Sequence, residues 1–401
     1  MSIHLQAEHL RAARGLVDEA HAGGGLAPLD IERFWADDAL SRKDPFGKNI
    51  PQVPFGATCS WECVFDELGL VQDQRRYLED SEWQLSLNRV YNDKAERIVG
   101  KRFLTETDPV RPLDPDPAVR ELHHIFEMEN VWNDTSQSWW LRPAAATPDG
   151  LRALLDRVDA RLEDLRGFLL TERWPRERDR LVREGRALPL YRGQRGPVTF
   201  ATSLLGAENL IFLILDEPDL AARLRDTILR AMLEKARVQD EEAGYTPENA
   251  PRGFFFADDN CALLTPEMYE FFGYPILKAV FDRYSPDPGD RRFQHSDSDM
   301  GHVLPILARC NLTGVNFGPN LTVAGIRRHM PRAVIHGQLA PFTYSRNEEI
   351  NMVAEFLRDF EMARETRGLV FATAGSINNG SRLTGMRLLM AAIQRYGRYG
   401  G

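Results

Sequence analysis

The segment FQHSDSDMGH, residues 293–302, sets His295, Asp297 and Asp299 at alternate positions. On an extended backbone alternate side chains share a face, so an imidazole and carboxylates lean the same way. Such a group has three uses. Imidazole with carboxylate is a hard donor set, compatible with Zn, Fe, Mn or Co. The same residues can move protons or bind a substrate without metal. In the third reading Asp297 or Asp299 caps a helix opening at Met300, and His295 is hydrogen-bonded within the fold. His336 in VIHGQLAP offers a second imidazole, followed by a glycine that lets backbone approach a ligand. His295, Asp297 and His336 would then complete a two-histidine, one-carboxylate metal set.

Asp258 and Asp259 follow the apolar run GFFFA. Neighbouring carboxylates push one pKa upward, which suits a general acid or base; the alternative is an acidic loop ahead of a helix capped by Thr265. Asn378, Asn379, Ser381 and Arg382 in SINNGSR can bind an anion or a substrate carboxylate, or form an ordinary asparagine/glycine loop. His123 and Glu127 stand four apart in ELHHIFEMEN, as helix-face metal ligands would, though a solvated helix face accounts for them more simply. Trp132, Trp139 and Trp140 read as core aromatics before a lid. Cys59 and Cys63, at helical spacing, read as buried thiols.

Elements must position these residues. HLQAEHLRAARGLVDEAHA has the three- and four-residue apolar spacing of an amphipathic helix, ended by GGGLAP. VPFGATCSWECVFDELGL reads as strand, turn and helix, 72–100 as a helix pair, 101–145 as mixed with a proline-rich loop DPVRPLDPDPAV, and 148–186 as one long charged helix. From residue 196 strand-like and helix-like runs alternate: PVTFATSLL, GFFFADD, RRFQHSD, TGVNFGP, RAVIHGQLA and GLVFATAG as strands, with helices after each. Alternation at this spacing predicts a parallel sheet. Five or six units without a nucleotide-type glycine fingerprint predict a TIM (β/α)8 barrel with an N-terminal helical extension, as 1–50 and 51–401, clearest from 190 onward. In a barrel the site lies at the C-terminal strand ends. That rule gathers Thr202-Ser203, Asp258-Asp259-Asn260, His295-Ser296-Asp297, Asn316-Phe317-Gly318, His336-Gly337-Gln338 and Thr373-Ala374-Gly375-Ser376, and places Arg192 and Arg195 at the opposite end.

The 401 residues are 43% apolar, enough for a large core, and the net charge of −9 disfavours a nucleic-acid partner. Four cysteines are few for a disulfide framework and read as reduced thiols. The start carries no apolar signal core, and the longest aliphatic run, LIFLIL, is far short of the roughly 20 residues of a membrane helix. The expectation is a soluble cytoplasmic protein, without membrane or nucleic acid, with a homodimer as a possible assembly.

The runs GPVTFATSLLGAENL, DDNCALLTPEMYEFFGYPILKAVFD, TGVNFGP, HGQLAP and the final strand with its AGS loop resemble the uroporphyrinogen decarboxylase superfamily over about residues 190–401. That superfamily is a TIM barrel and includes the decarboxylase, corrinoid-linked methyltransferases and, more distantly, cobalamin-independent methionine synthases. The resemblance implies a small-molecule enzyme. The arginine-rich RQAGRY-type segment of the decarboxylase has no counterpart here. In the methyltransferases a His-x-Cys pair and a later Cys bind zinc. The corresponding stretch here is His295-Ser296-Asp297, and the last loop, ATAGSINNGS, has no cysteine.

The expected catalytic residues are therefore His295, Asp297, Asp258 and His336. Asp259, Asn260, Asn316, Gln338, Ser376, Asn378 and Arg382 are expected to bind substrate. The expected cofactors are a divalent metal, Zn or Fe, and a corrinoid on a separate partner protein, since no Asp-x-His-x-x-Gly signature occurs. The leading activity is one-carbon transfer from a small substrate to a corrinoid or thiol. A carboxy-lyase on a carboxylated molecule and a non-catalytic binding barrel are the alternatives.

Overall fold

The computed structural model describes residues 4–110 and 113–399, so Arg111 and Pro112 of the expected proline-rich loop lie outside the described residues. The chain divides into two compact units: Met1–Pro112 with Ser296–Gly301 and Gly314–Gly401, and Leu113–His295 with His302–Thr313.

The second unit begins its sheet structure with an antiparallel hairpin of β1 (Glu129–Asn133) and β2 (Ser138–Arg142). Three parallel strands follow: β3 (Gly193–Arg195), β4 (Phe254–Ala257) and β5 (Arg292–Ser296). The rings of Phe254 and Phe256 lie tilted to each other at 4.9 Å, and Phe256 meets Phe281 edge to face at 5.4 Å. Phe281 belongs to the helix Pro266–Tyr284, whose first turn is capped by Thr265 and started by Pro266. Alternate residues of β4 thus seal against this helix, and the intervening ones turn away from it.

In the first unit β6 (Gly314–Phe317), β7 (Val334–Leu339) and β8 (Leu369–Thr373) run parallel. β8 is buried along its whole length, as expected of a strand covered on both faces. A parallel bridge joins Phe55 to Phe371, with Phe371 N–H donating to Pro54 O, so the segment VPFG, expected as a short strand, contributes a single bridge beside β8. The helix Ala7–Ala22 buries Ala13, Leu16, Val17 and Ala20 and packs on the helix Glu349–Ala363. The N-terminal extension is therefore docked on a barrel helix. Parallel strands β3 to β8 follow one another in chain order, and the fold is the α/β TIM barrel with helical N-terminal extension. No single helix among the described residues is long and apolar enough to cross a membrane.

Four elements differ from the sequence reading. PVTFATSLL is a helix, Pro197–Leu205, not a strand; Pro197 opens it, and the strand is the three residues before it. The long helix of 148–186 is three, Pro148–Glu163, Leu165–Leu169 and Trp174–Arg183, because Asp164 leaves helical geometry and caps the second by accepting from Gly167 N–H. MGHVLPILARC is broken into short turns of helix around Pro305. The tryptophans are not core: they lie on the β1–β2 hairpin, and Trp140 is 57% exposed.

Candidate active site

Parallel pairing aligns Arg195 with Ala257, and Ala257 with His295. These three residues form one row across β3, β4 and β5, at their C-terminal ends. Paired residues of a sheet point to the same face. This row is in phase with Phe255, not with Phe256, and so lies on the face turned from the helix Pro266–Tyr284. Asp259 is two residues past Ala257. The ligating atoms of Asp259 and His295 approach within 4.8 Å, and Asp297, next but one along the chain from His295, offers a carboxylate oxygen within the same limit. Asp259 thus takes the third place that the sequence reading gave to His336. Asp259 and His295 are half-buried and Asp297 is exposed, so this group is open to a ligand.

Asp297 is held in place by the last strand-end loop. Its Oδ1 accepts the Ser376 N–H at 3.2 Å. A Cβ on Gly375 would stand 2.1 Å from the same oxygen, and Gly375 has φ +100, a conformation other residues rarely adopt. Gly318 is equally tight: its Cβ would lie 2.6 Å from the Asp297 carbonyl oxygen. Small residues at both strand ends are what allow a carboxylate here.

Asp258 has a different setting from Asp259. It is fully buried, and its Oδ1 accepts the Thr199 N–H at 2.8 Å. It caps the helix Pro197–Leu205 from the neighbouring strand. A Cβ on Gly196 would come within 2.1 Å of the Asp258 Cβ, so glycine is needed for this approach. Burial pushes the Asp258 carboxyl up to about 7, against the pull of its bonds to Thr199. Asn260 is tied to the same helix: its N–H donates to Thr199 Oγ1 at 3.0 Å and its Nδ2 to Thr202 Oγ1 at 2.5 Å. Thr202 and Ser203, expected at a strand end, sit within this helix and donate to Thr199 O.

Other expected residues are partly committed to the fold. Asn316 Nδ2 donates to His336 O and Thr373 O, at 2.5 and 2.9 Å, tying β6, β7 and β8 together. Gln338, buried, donates to Gly318 O and Leu321 O. His336 is half-buried within β7, three residues before the strand's last residue, Leu339. Asn378 O accepts from Cys63 Sγ, and Tyr344 Oη donates to Arg382 O. Ser376 is exposed. All four cysteines are buried, Cys59 and Cys63 as expected, and none is joined in a disulfide. His123 and Glu127 do not share a helix face. The helix Leu122–Ile125 ends before Glu127, which has φ 57 and pairs with Arg157 and Arg161. His123 is no solvated residue either: burial first, then His124, Arg195 and Lys235, bring its pKa down to about 4.

Arg195 is the residue that sequence reasoning placed at the wrong end. It is the last residue of β3, at the C-terminal end, and is exposed. Arg192 does lie at the opposite end, paired with Asp240.

The model of the uroporphyrinogen decarboxylase family matches residues 177–396, more than half of the chain. The chain belongs to the uroporphyrinogen decarboxylase family. Its relatives in that superfamily are enzymes, and the Asp259–His295 group follows the C-terminal ends of β4 and β5, the end at which barrel enzymes carry their sites. No curated protein matches the sequence. Among solved structures, a methyltransferase from Methanosarcina mazei is similar with a TM-score of 0.53 at 16% identity, over 90% of this chain and 98% of that one. The two share the barrel fold.

Proposed function

We propose that this family member is a methyltransferase-type enzyme that moves a one-carbon group from a small substrate, with Asp259, His295 and Asp297 holding a divalent ion, Zn or Fe. The observation that supports it is the convergence of these three ligand groups within 4.8 Å. The donor set fits a hard or borderline divalent ion. It does not fit a thiolate-rich zinc centre, because the last loop has no cysteine and the four buried cysteines stand outside the group. A bound ion would supply Lewis acidity toward a substrate oxygen. The chain's own residues then orient and exclude. Ser376 N–H and Gly375 fix Asp297, Asn316 and Gln338 brace the strand ends, and His336 and Ser376 meet the substrate. The similarity to a methyltransferase supports the transfer reading, with a corrinoid on a separate protein as acceptor.

A second reading is a carboxy-lyase in which Asp258 handles the proton. A carboxyl pushed up to about 7 favours it. Full burial and the bond to Thr199 disfavour it. Uroporphyrinogen itself, with eight carboxylates, does not suit a site whose one strand-end arginine in the second unit's sheet is Arg195. Incubation of the purified protein with uroporphyrinogen is expected to yield no coproporphyrinogen by chromatography. A methylated small donor with a separately supplied corrinoid protein is expected to give methyl-corrinoid by its absorption spectrum. Turnover of uroporphyrinogen at about 1 per second or faster would overturn this order.

A further inference from the structure

Arg195 is unusual among the arginines of the second unit. Among the described residues its side chain makes no hydrogen bond, ion pair or ring contact. The cations around it are already matched or neutral. Lys235 is buried, donates to Arg120 O at 2.9 Å and pairs with Glu121 at 3.3 Å. His123, whose Nε2 is 3.0 Å from Asn130 Nδ2, is held uncharged near neutrality by burial and by Arg195 itself. Arg195 therefore presents an exposed positive charge on the same row as His295. Two strand spacings, about 10 Å, separate its backbone from that of His295, and a guanidinium reaches about half of that.

We infer that Arg195 binds a carboxylate of the substrate and holds the rest of the molecule against the Asp259–His295 end of the row. This assignment rests on the reading of Asp259, His295 and Asp297 as the reacting end. A planar fork of N–H donors matches a carboxylate in two parallel bonds. A phosphate is the poorer match. Phosphate sites draw on helix N-termini, and the N-terminus nearest Arg195, that of Pro197–Leu205, is already filled by the Asp258 carboxylate. The substrate class is thus a small monocarboxylate whose reacting group lies several bonds from its carboxyl carbon.

The test uses 4,4,4-trifluorobutyrate as probe, followed by ligand fluorine NMR, with 4,4,4-trifluorobutyramide as the neutral control and inorganic phosphate as competitor. Wild type is expected to bind the carboxylate at least tenfold more tightly than the amide. Arg195→Gln is expected to abolish that preference and Arg195→Lys to restore part of it, with amide binding unchanged in both. Equal carboxylate binding by wild type and Arg195→Gln, or no preference in wild type, overturns the inference. So does phosphate displacing the probe more strongly than acetate at matched ionic strength. Zinc titration of the same variants separates the two readings. A wild type that prefers the carboxylate but binds no zinc retains Arg195 as an anion anchor and removes the proposed metal. A wild type that binds zinc but shows no carboxylate preference does the reverse.

Discussion

Gly375→Ala should unseat Asp297. The new methyl would stand 2.1 Å from Oδ1, well inside contact distance, so the carboxylate must move or the loop must open. The φ of +100 adds backbone strain of roughly 1–3 kcal/mol for a residue with a side chain. Together with loss of the Ser376 N–H bond, the expected cost in folding stability is about 3 kcal/mol or more by denaturant titration. Divalent-ion affinity should fall about 10–100-fold, the range seen when a group that orients a ligand is lost. Gly185→Ala is the control: φ is +65 and nothing lies within 4 Å of the added Cβ, so it carries only the strain. Equal effects of the two substitutions would show that Asp297 is not held by this contact.

The second large effect is on stability against pH. Asp258 and Asp359 are fully buried, and burial raises both carboxyls to about 7. In the unfolded chain both lose their protons near pH 4. Between about pH 4 and 7 the folded protein therefore holds more protons than the unfolded one, and stability from these groups falls as pH rises. It is fully present below about pH 4 and lost by about pH 7, roughly 3–4 kcal/mol for each. Asp258→Asn keeps an oxygen for Thr199 N–H and cannot ionise. Its stability relative to wild type should therefore improve by up to about 3 kcal/mol as pH is raised from 5 to 8. Parallel curves for the two proteins would mean that Asp258 is ionised at little cost. A parallel measurement of kcat separates the lyase reading, which requires the Asp258 proton and predicts loss of activity in this variant.

Much of this arrangement is legible in the sequence, and the exceptions have physical causes. From GFFFADD onward most strands have an apolar body and polar end, and apart from MGHVLPILARC, broken at Pro305, the observed elements follow. The error at PVTFATSLL arises because β-branched and aromatic residues fit either state. What decides for helix is Pro197 together with the Asp258 carboxylate, 59 residues away in sequence, at its N-terminus. The strand beside it, Gly-Gln-Arg, has no strand propensity of its own and exists because β4 pairs with it. That single misreading also turned Arg195 to the wrong end. Asp259 was recognised as a strand-end residue but not as the partner of His295, since only the folded structure brings its carboxylate beside the imidazole while Asp258 turns to Thr199. His336, expected at a strand end, lies within β7, which continues to Leu339.

The most direct test of the metal site is equilibrium dialysis against Zn²⁺ and Fe²⁺ followed by elemental analysis, on wild type and on His295→Ala. The predicted result is about one ion per wild-type chain. His295→Ala should lose affinity by more than the roughly 100-fold upper range of an outer-shell substitution, with far-UV circular dichroism unchanged. Undiminished metal content in His295→Ala, or no divalent ion in the wild type at millimolar supply, would contradict the assignment of Asp259, His295 and Asp297 as ligands.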